Sequence, residues 1–206
     1  MMTRHIYLLA LAILPLCAAG QTATAPADYT ALVKKLEAGD TTVNYAQFRN
    51  SFLASKQFRA KEQKKALYDS LQRTVGKLLE TENYDGIISS MKGMLAIDYT
   101  SLFAHKYISQ AYNMKGDSKN AEKHRLIEEG LLRSIIKSGD GNGCSSSWKV
   151  IQNEEQYFVV YMLGSTYLDQ KLYESGEKRC NAITVREKTG TETTYYFDLT
   201  LVMSGR

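Results

Sequence analysis

Proline and tryptophan are nearly missing from this chain, with two residues and one, and cysteine occurs three times in 206 positions. So few cysteines exclude a disulfide-dense scaffold, and so little proline excludes collagen-like and proline-rich extended chains. A large excess of one charge is also absent: 26 basic against 22 acidic side chains leave +4, well short of a dedicated nucleic-acid binder. The apolar run from Ile6 to Leu16 is about half of the roughly 20 residues a membrane-spanning helix needs. What remains, 44% hydrophobic and 23% charged, is the composition of a folded chain of one or two domains.

That apolar run reads as an address, not as part of the fold. Arg4 and His5 precede it and Ala18, Ala19 and Gly20 follow, so residues 1–20 are expected to be a secretory signal peptide cut after Gly20. A cut after Ala25 would put Pro26 first, which signal peptidases handle badly. Cys17 offers a competing reading as the lipidated cysteine of a bacterial lipoprotein, though Pro15 and Leu16 stand where a lipobox wants small residues. Removing 20 residues, of which only Arg4 is charged, leaves 186 at a net of +3, with two cysteines. The expected place is the periplasm or the exterior, with no transmembrane segment after cleavage. There Cys144, in a Gly/Ser loop, and Cys180, at the head of a strand, can pair. The alternatives are two free thiols, or Cys144 as a catalytic thiol with His105 or His124 as its base, for which no signature surrounds it.

Residues 21–28 form a leader of small residues with nothing apolar to bury. Helical spacing follows. Tyr29, Leu32, Val33 and Leu36 recur before Gly39, and Phe48 and Phe52 stand four apart in a helix over 45–54. From Lys61 to Thr81, Ala66, Leu67, Leu71, Val75, Leu78 and Leu79 form one stripe, predicting a single amphipathic helix of about five turns. Tyr112, Gly116, Asp117 and Ala121 take the spacing of a tetratricopeptide repeat. One repeat length earlier, Glu82 to Asp85 occupies the same turn, so helix pairs are expected over 68–101 and 102–135, with Val75, Ile87, Met94 and Tyr99 departing from the pattern. The last of these helices runs to Lys137, with Gly139 as its left-handed cap.

Beyond it the period becomes strand-like: a strand over 148–152, a helix over 154–164, a strand over 167–173, and strands over 179–186 and 193–199 about a hairpin at Lys188-Thr189-Gly190. The expected fold class is α+β. A tetratricopeptide-repeat-like antiparallel helix stack over 29–140 precedes a small strand-helix-strand-hairpin unit over 141–206, packed on the helices because about 65 residues alone make a marginal core.

Several segments in this order resemble a known family. They are Tyr45, Phe48 and Arg49, then Gly116-Asp117 with Ala121-Glu122-Lys123-His124, then Gly130-Leu131-Leu132 running into Ser138-Gly139-Asp140-Gly141. Val150-Ile151 before Glu154, Glu155 and Tyr157 continues the pattern, and Tyr196-Phe197-Asp198 closes it. From about Tyr29 to Leu199 the chain resembles the family of exported bacterial proteins described as domain of unknown function 4919. The resemblance implies the boundaries and the export; it brings no activity.

The chemistry is again marked by absences. Gly139, Gly141 and Gly143 follow a helix instead of opening one, which is the wrong side for a phosphate loop. Asp140 and Asn142 alone are too few ligands for calcium, and two histidines beyond the signal are too few for zinc. No metal, cofactor or catalytic residue is therefore assigned. Glu128-Glu129 and Glu154-Glu155 read as solvated faces, although with Asp198 they could serve acid/base work. Lys56, Arg59, Lys61, Lys64 and Lys65 read as a solvated helix start or as a patch for anionic lipid or glycan. Fourteen tyrosines, against six phenylalanines, suit interfaces. The repeat register turns Asp69, Gln72, Lys106, Gln110 and Asn113 into a concave polar groove. The resulting expectation is a non-catalytic interaction module that holds an envelope protein or peptide and no nucleic acid. The alternatives are a hydrolase with carboxylates at the junction of the two parts, and a binder of glycan or lipid surfaces.

Overall fold

The computed structural model describes residues 28–175 and 178–204; the expected signal peptide, Cys17 and leader residues 21–27 lie outside the described residues. Seven helices come first: α1 (Tyr29–Glu37), α2 (Tyr45–Leu53), α3 (Lys56–Gln63), α4 (Lys65–Glu80), α5 (Tyr84–Ile97), α6 (Leu102–Met114) and α7 (Ser118–Ile136). Most begin on a local signal. Asp28, Asn44, Ser55, Asn83, Ser101 and Asp117 each accept a hydrogen bond from a backbone amide two or three residues on, which satisfies a donor the helix itself leaves free.

Links of three or four residues fold α4, α5, α6 and α7 back on one another, each packing on the next. Val75, Ile87, Met91, Met94, Ile108, Ile127 and Leu131 fill the seams and are almost wholly buried. α1 and α2 close one end, where Tyr29 stacks on Phe48 with ring centroids 5.4 Å apart. α2 crosses α7 at Gly130, and a side chain there would overlap the ring of Tyr45.

The helix expected over 61–81 is two helices. Ser55 caps α3, and Lys64 leaves helical geometry (φ −102°, ψ 11°), so Ala66 and Leu67 of the expected stripe face solvent. The turn frees Lys61 to enter the protein, as described below. Gly139 is not the left-handed cap of α7 either. The helix ends on Lys137 in right-handed geometry, the positive φ belongs to Gly141 (72°), and Gly139 is required because the carbonyls of Ser146 and Ser147 press on its Cα.

The second part holds a single 3-10 turn (Cys144–Ser146), β1 (Trp148–Lys149), α8 (Asn153–Met162), β2 (Thr166–Ser175), β3 (Lys178–Arg186), β4 (Glu192–Asp198) and α9 (Thr200–Ser204). The strand expected over 148–152 shrinks to two residues because Glu155 captures the amide of Ile151 and bends the chain into α8. The sheet order is β1-β4-β3-β2, with β1 parallel to β4 and the other pairs antiparallel. Central β3 buries Cys180, Asn181, Ala182, Ile183 and Val185, as a strand with neighbours on both sides should. A disulfide joins Cys144 to Cys180 across a Cα separation of 5.6 Å and ties the 3-10 turn to β3. The fold is α+β, a helical stack followed by a small mixed sheet.

Candidate functional site

One ion pair fastens the two parts. Arg49 on α2 and Glu155 on α8, both about 95% buried, meet in a two-pronged contact of 3.0 Å (Nε to Oε1) and 2.7 Å (Nη2 to Oε2). Arg49 also donates to the carbonyl of Lys149 at 3.0 Å and to Ser134 Oγ at 3.3 Å, while Glu155 Oε2 accepts the Ile151 amide at 2.7 Å. All three arginine nitrogens and both carboxylate oxygens are hydrogen-bonded, which is the condition under which charges survive burial.

Beside this seam lies a cavity of about 270 Å³ between α4, α6 and α8. Six rings line it: Tyr68, Phe103, Tyr107, Tyr157, Phe158 and Tyr161. Its floor is a buried polar network. Asp98 accepts the amide and hydroxyl of Thr100 at 2.8 and 2.6 Å, and its other oxygen takes Lys61 Nζ at 3.1 Å. Lys61 also donates to Gln152 Oε1, lies 3.9 Å from Glu154 and sits over the Tyr68 ring at 4.5 Å. Burial works against the lysine charge, but Asp98 and then Glu154 outweigh it and hold the ammonium above the usual lysine range. Burial, with Asp98 next, pushes the Tyr68 hydroxyl well above its ordinary value; that hydroxyl donates to Ser101 Oγ at 2.8 Å.

Tyr68, Gln152 and Glu154 also border a second cavity, of about 550 Å³, along α3, α4 and the start of α8. The two cavities adjoin at these three residues. The residues expected in a groove divide: Gln72 and Lys106 line the first cavity, and Asp69 lines the second, paired with Lys65 at 2.8 Å. Gln110 and Asn113 stand exposed farther along α6, outside both linings, because α8 covers only the first half of that helix face. Lys106 reaches Met162 Sδ at 3.7 Å and lies 5.3 Å from the centre of the Tyr161 ring.

The charged clusters read as solvated faces split in the same way. Lys61 is withdrawn from the basic cluster, and Glu155 from its acidic pair, into buried contacts. Glu128 is buried as well, and burial raises its pKa. Nothing local in the sequence announces Asp98 as the partner of Lys61, or Arg49 as that of Glu155, 106 positions away. No metal-holding group of three or more His, Cys, Asp or Glu occurs among the described residues, and no described helix is long and apolar enough to cross a membrane.

No curated protein and no solved structure matches the chain. A family model does, and because its match spans residues 21–204, taking in the stack, the seam and the sheet together, the chain belongs to the family described as Domain of unknown function (DUF4919).

Proposed function

We propose that this chain is an exported recognition module of the cell envelope whose groove along α3, α4, α6 and α8 holds a segment of peptide. The observation that carries this reading is a wall of six aromatic rings beside acids already committed to internal partners. Rings offer broad apolar contact at small entropic cost, which suits a side chain of a bound segment. Of the three acids lining the first cavity, Asp98 and Glu155 spend their oxygens on Lys61, Thr100, Arg49 and Ile151, leaving Glu154 as a lone half-exposed carboxylate, which supports binding over hydrolysis by a carboxylate pair. Two adjoining cavities also favour an extended ligand over a compact one.

Panning a displayed library of random peptides on the folded chain tests this. Peptides should enrich, and Tyr161→Ala and Phe103→Ala should each weaken the best of them at least tenfold. Peptides indifferent to both variants, or none, would overturn the groove. Export is tested separately: the full chain made in a bacterial host should be recovered from the periplasm beginning at Gln21. A cytosolic product that keeps Met1 would sink that part of the proposal.

A further inference from the structure

A second polar site lies inside the stack, away from the groove. His105 on α6 and His124 on α7 face each other with Nδ1 to Nδ1 at 2.9 Å, and His105 Nε2 lies 3.0 Å from the carbonyl oxygen of Tyr99. A carbonyl can only accept, so His105 carries its proton on Nε2 and offers a lone pair at Nδ1. His124 must then donate from Nδ1, and its Nε2 is left as a bare acceptor. Among the described residues nothing hydrogen-bonds that nitrogen, although His124 is only 5% exposed. Burial first, then His105, Lys123 and Lys92, hold His124 down to about 3, and burial holds His105 down to about 4, so both rings are neutral.

His124 lines a cavity of about 410 Å³, as do Lys92 of α5 and Lys123 of α7. Lys92 lies 5.6 Å over the Tyr112 ring, which in turn stacks on His124. From α1 come Tyr29, whose hydroxyl accepts the Tyr99 amide at 2.9 Å, and the cavity's acid, Glu37; burial first, then Glu37, opposes ionisation of the Tyr99 hydroxyl.

We infer that this cavity takes a phosphate group bearing one proton, its anionic oxygens on Lys92 and Lys123 and its P–OH donated to His124 Nε2. Two ammonium groups call for anionic oxygens, and a bare ring nitrogen calls for a donor. An ionised carboxylate or a sulfate lacks the proton; a phosphate monoanion has both. The complex holds one proton between phosphate and Nε2, whichever atom carries it. Affinity should thus be level below the ligand's second pKa, about 6 for a monoester, and fall about tenfold per pH unit above it. Two lysines acting by charge alone would instead prefer the dianion and give the opposite slope.

The test is nitrogen-detected NMR of the histidine rings in the folded chain, titrated with inorganic phosphate, glycerol phosphate and sulfate at pH 6, 7 and 8. A saturable shift at His124 Nε2 is expected for either phosphate, weaker at pH 8 than at pH 7 by about tenfold for the ester and by roughly fivefold for inorganic phosphate, whose second pKa is about 7, with sulfate at least tenfold weaker at pH 7. Tighter binding of the ester would assign the group to an organic molecule, and tighter binding of the free ion to phosphate itself; both keep the site. Lys92→Gln, at an exposed position, and Lys123→Gln, at a half-buried one, should each cost about tenfold, and His124→Leu, which has no acceptor for the P–OH, should remove the pH slope. An affinity that rises with pH, equal binding of sulfate, or no shift at His124 would overturn the site.

Discussion

From α4 to α7 each helix packs on its neighbour in sequence, and three of the four open on a side-chain cap within a few residues. In the sheet unit β2, β3 and β4 also pair as successive hairpins, but its closure is distant: β1 meets β4 by pairing Trp148 with Phe197, and its disulfide spans 36 positions. The core of the first part assembles from near neighbours, whereas the second is closed only after distant segments have met. Between them stands the Arg49–Glu155 pair, the hydrogen-bonded pair most distant in sequence among the described residues, and almost wholly desolvated. Removing a near contact should therefore loosen one helix end, and removing a distant one should loosen a whole part.

Arg49→Ala carries the largest expected effect. It strands Glu155 in the interior and should cost about 3–5 kcal/mol in urea unfolding, while Arg49→Met with Glu155→Leu should regain much of that by replacing charge with packing. A single-variant cost under about 1 kcal/mol would mean that the seam holds by apolar contact. Cys180→Ala comes next, at about 2–4 kcal/mol for a loop of this length. Hydrogen exchange should quicken in β3 and β4 and stay unchanged in α5 and α6; equal quickening everywhere would dissolve the distinction between the parts.

The same distinction governs what could be read from sequence. Helix pairs over 68–101 and 102–135 were legible because Asn83-Tyr84-Asp85 and Gly116-Asp117 mark turns between stripes of regular spacing; α5 and α6 fall within those bounds, while α4 starts at Lys65 and α7 ends at Ile136. The break at Lys64 was not, because no glycine or proline marks it, and the contact it allows, Lys61 with Asp98, joins residues 37 positions apart. In the groove, Gln72 and Lys106 follow from helix register alone, whereas Gln110 and Asn113 missed because register cannot say how far α8 reaches. The facing of His105 and His124 was likewise beyond reach, since two histidines on successive helices fit a core reading equally well.

That histidine pair gives the third effect, now from within the stack. Both rings titrate near 6.5 when unfolded but are held to about 4 and about 3 when folded. Their stabilising contribution is complete above about pH 6.5 and is lost as pH falls toward the folded values, because only the unfolded chain takes up protons there. Each ring contributes at most about 1.4 kcal/mol per pH unit, so from pH 7.5 to 5.5 the pair should cost about 2–3 kcal/mol. Replacing His124 with glutamine should roughly halve that decline in unfolding followed by circular dichroism, and an unchanged decline would place its origin elsewhere.

Asn83→Ala should be the mildest. Its Oδ1 accepts the Gly86 amide at 2.9 Å on the surface, a contact of three residues' reach. Its loss frees one amide that water can then satisfy, so the cost should be about 1 kcal/mol, with Asn83→Ser restoring most of it. The urea dependence should stay unchanged and the exchange of amides in β3 unaffected, because no distant segment leans on that cap. A loss as large as that of Arg49→Ala would show the stack to be as dependent on long-range closure as the sheet, and the contrast between the two parts would fail at its near end.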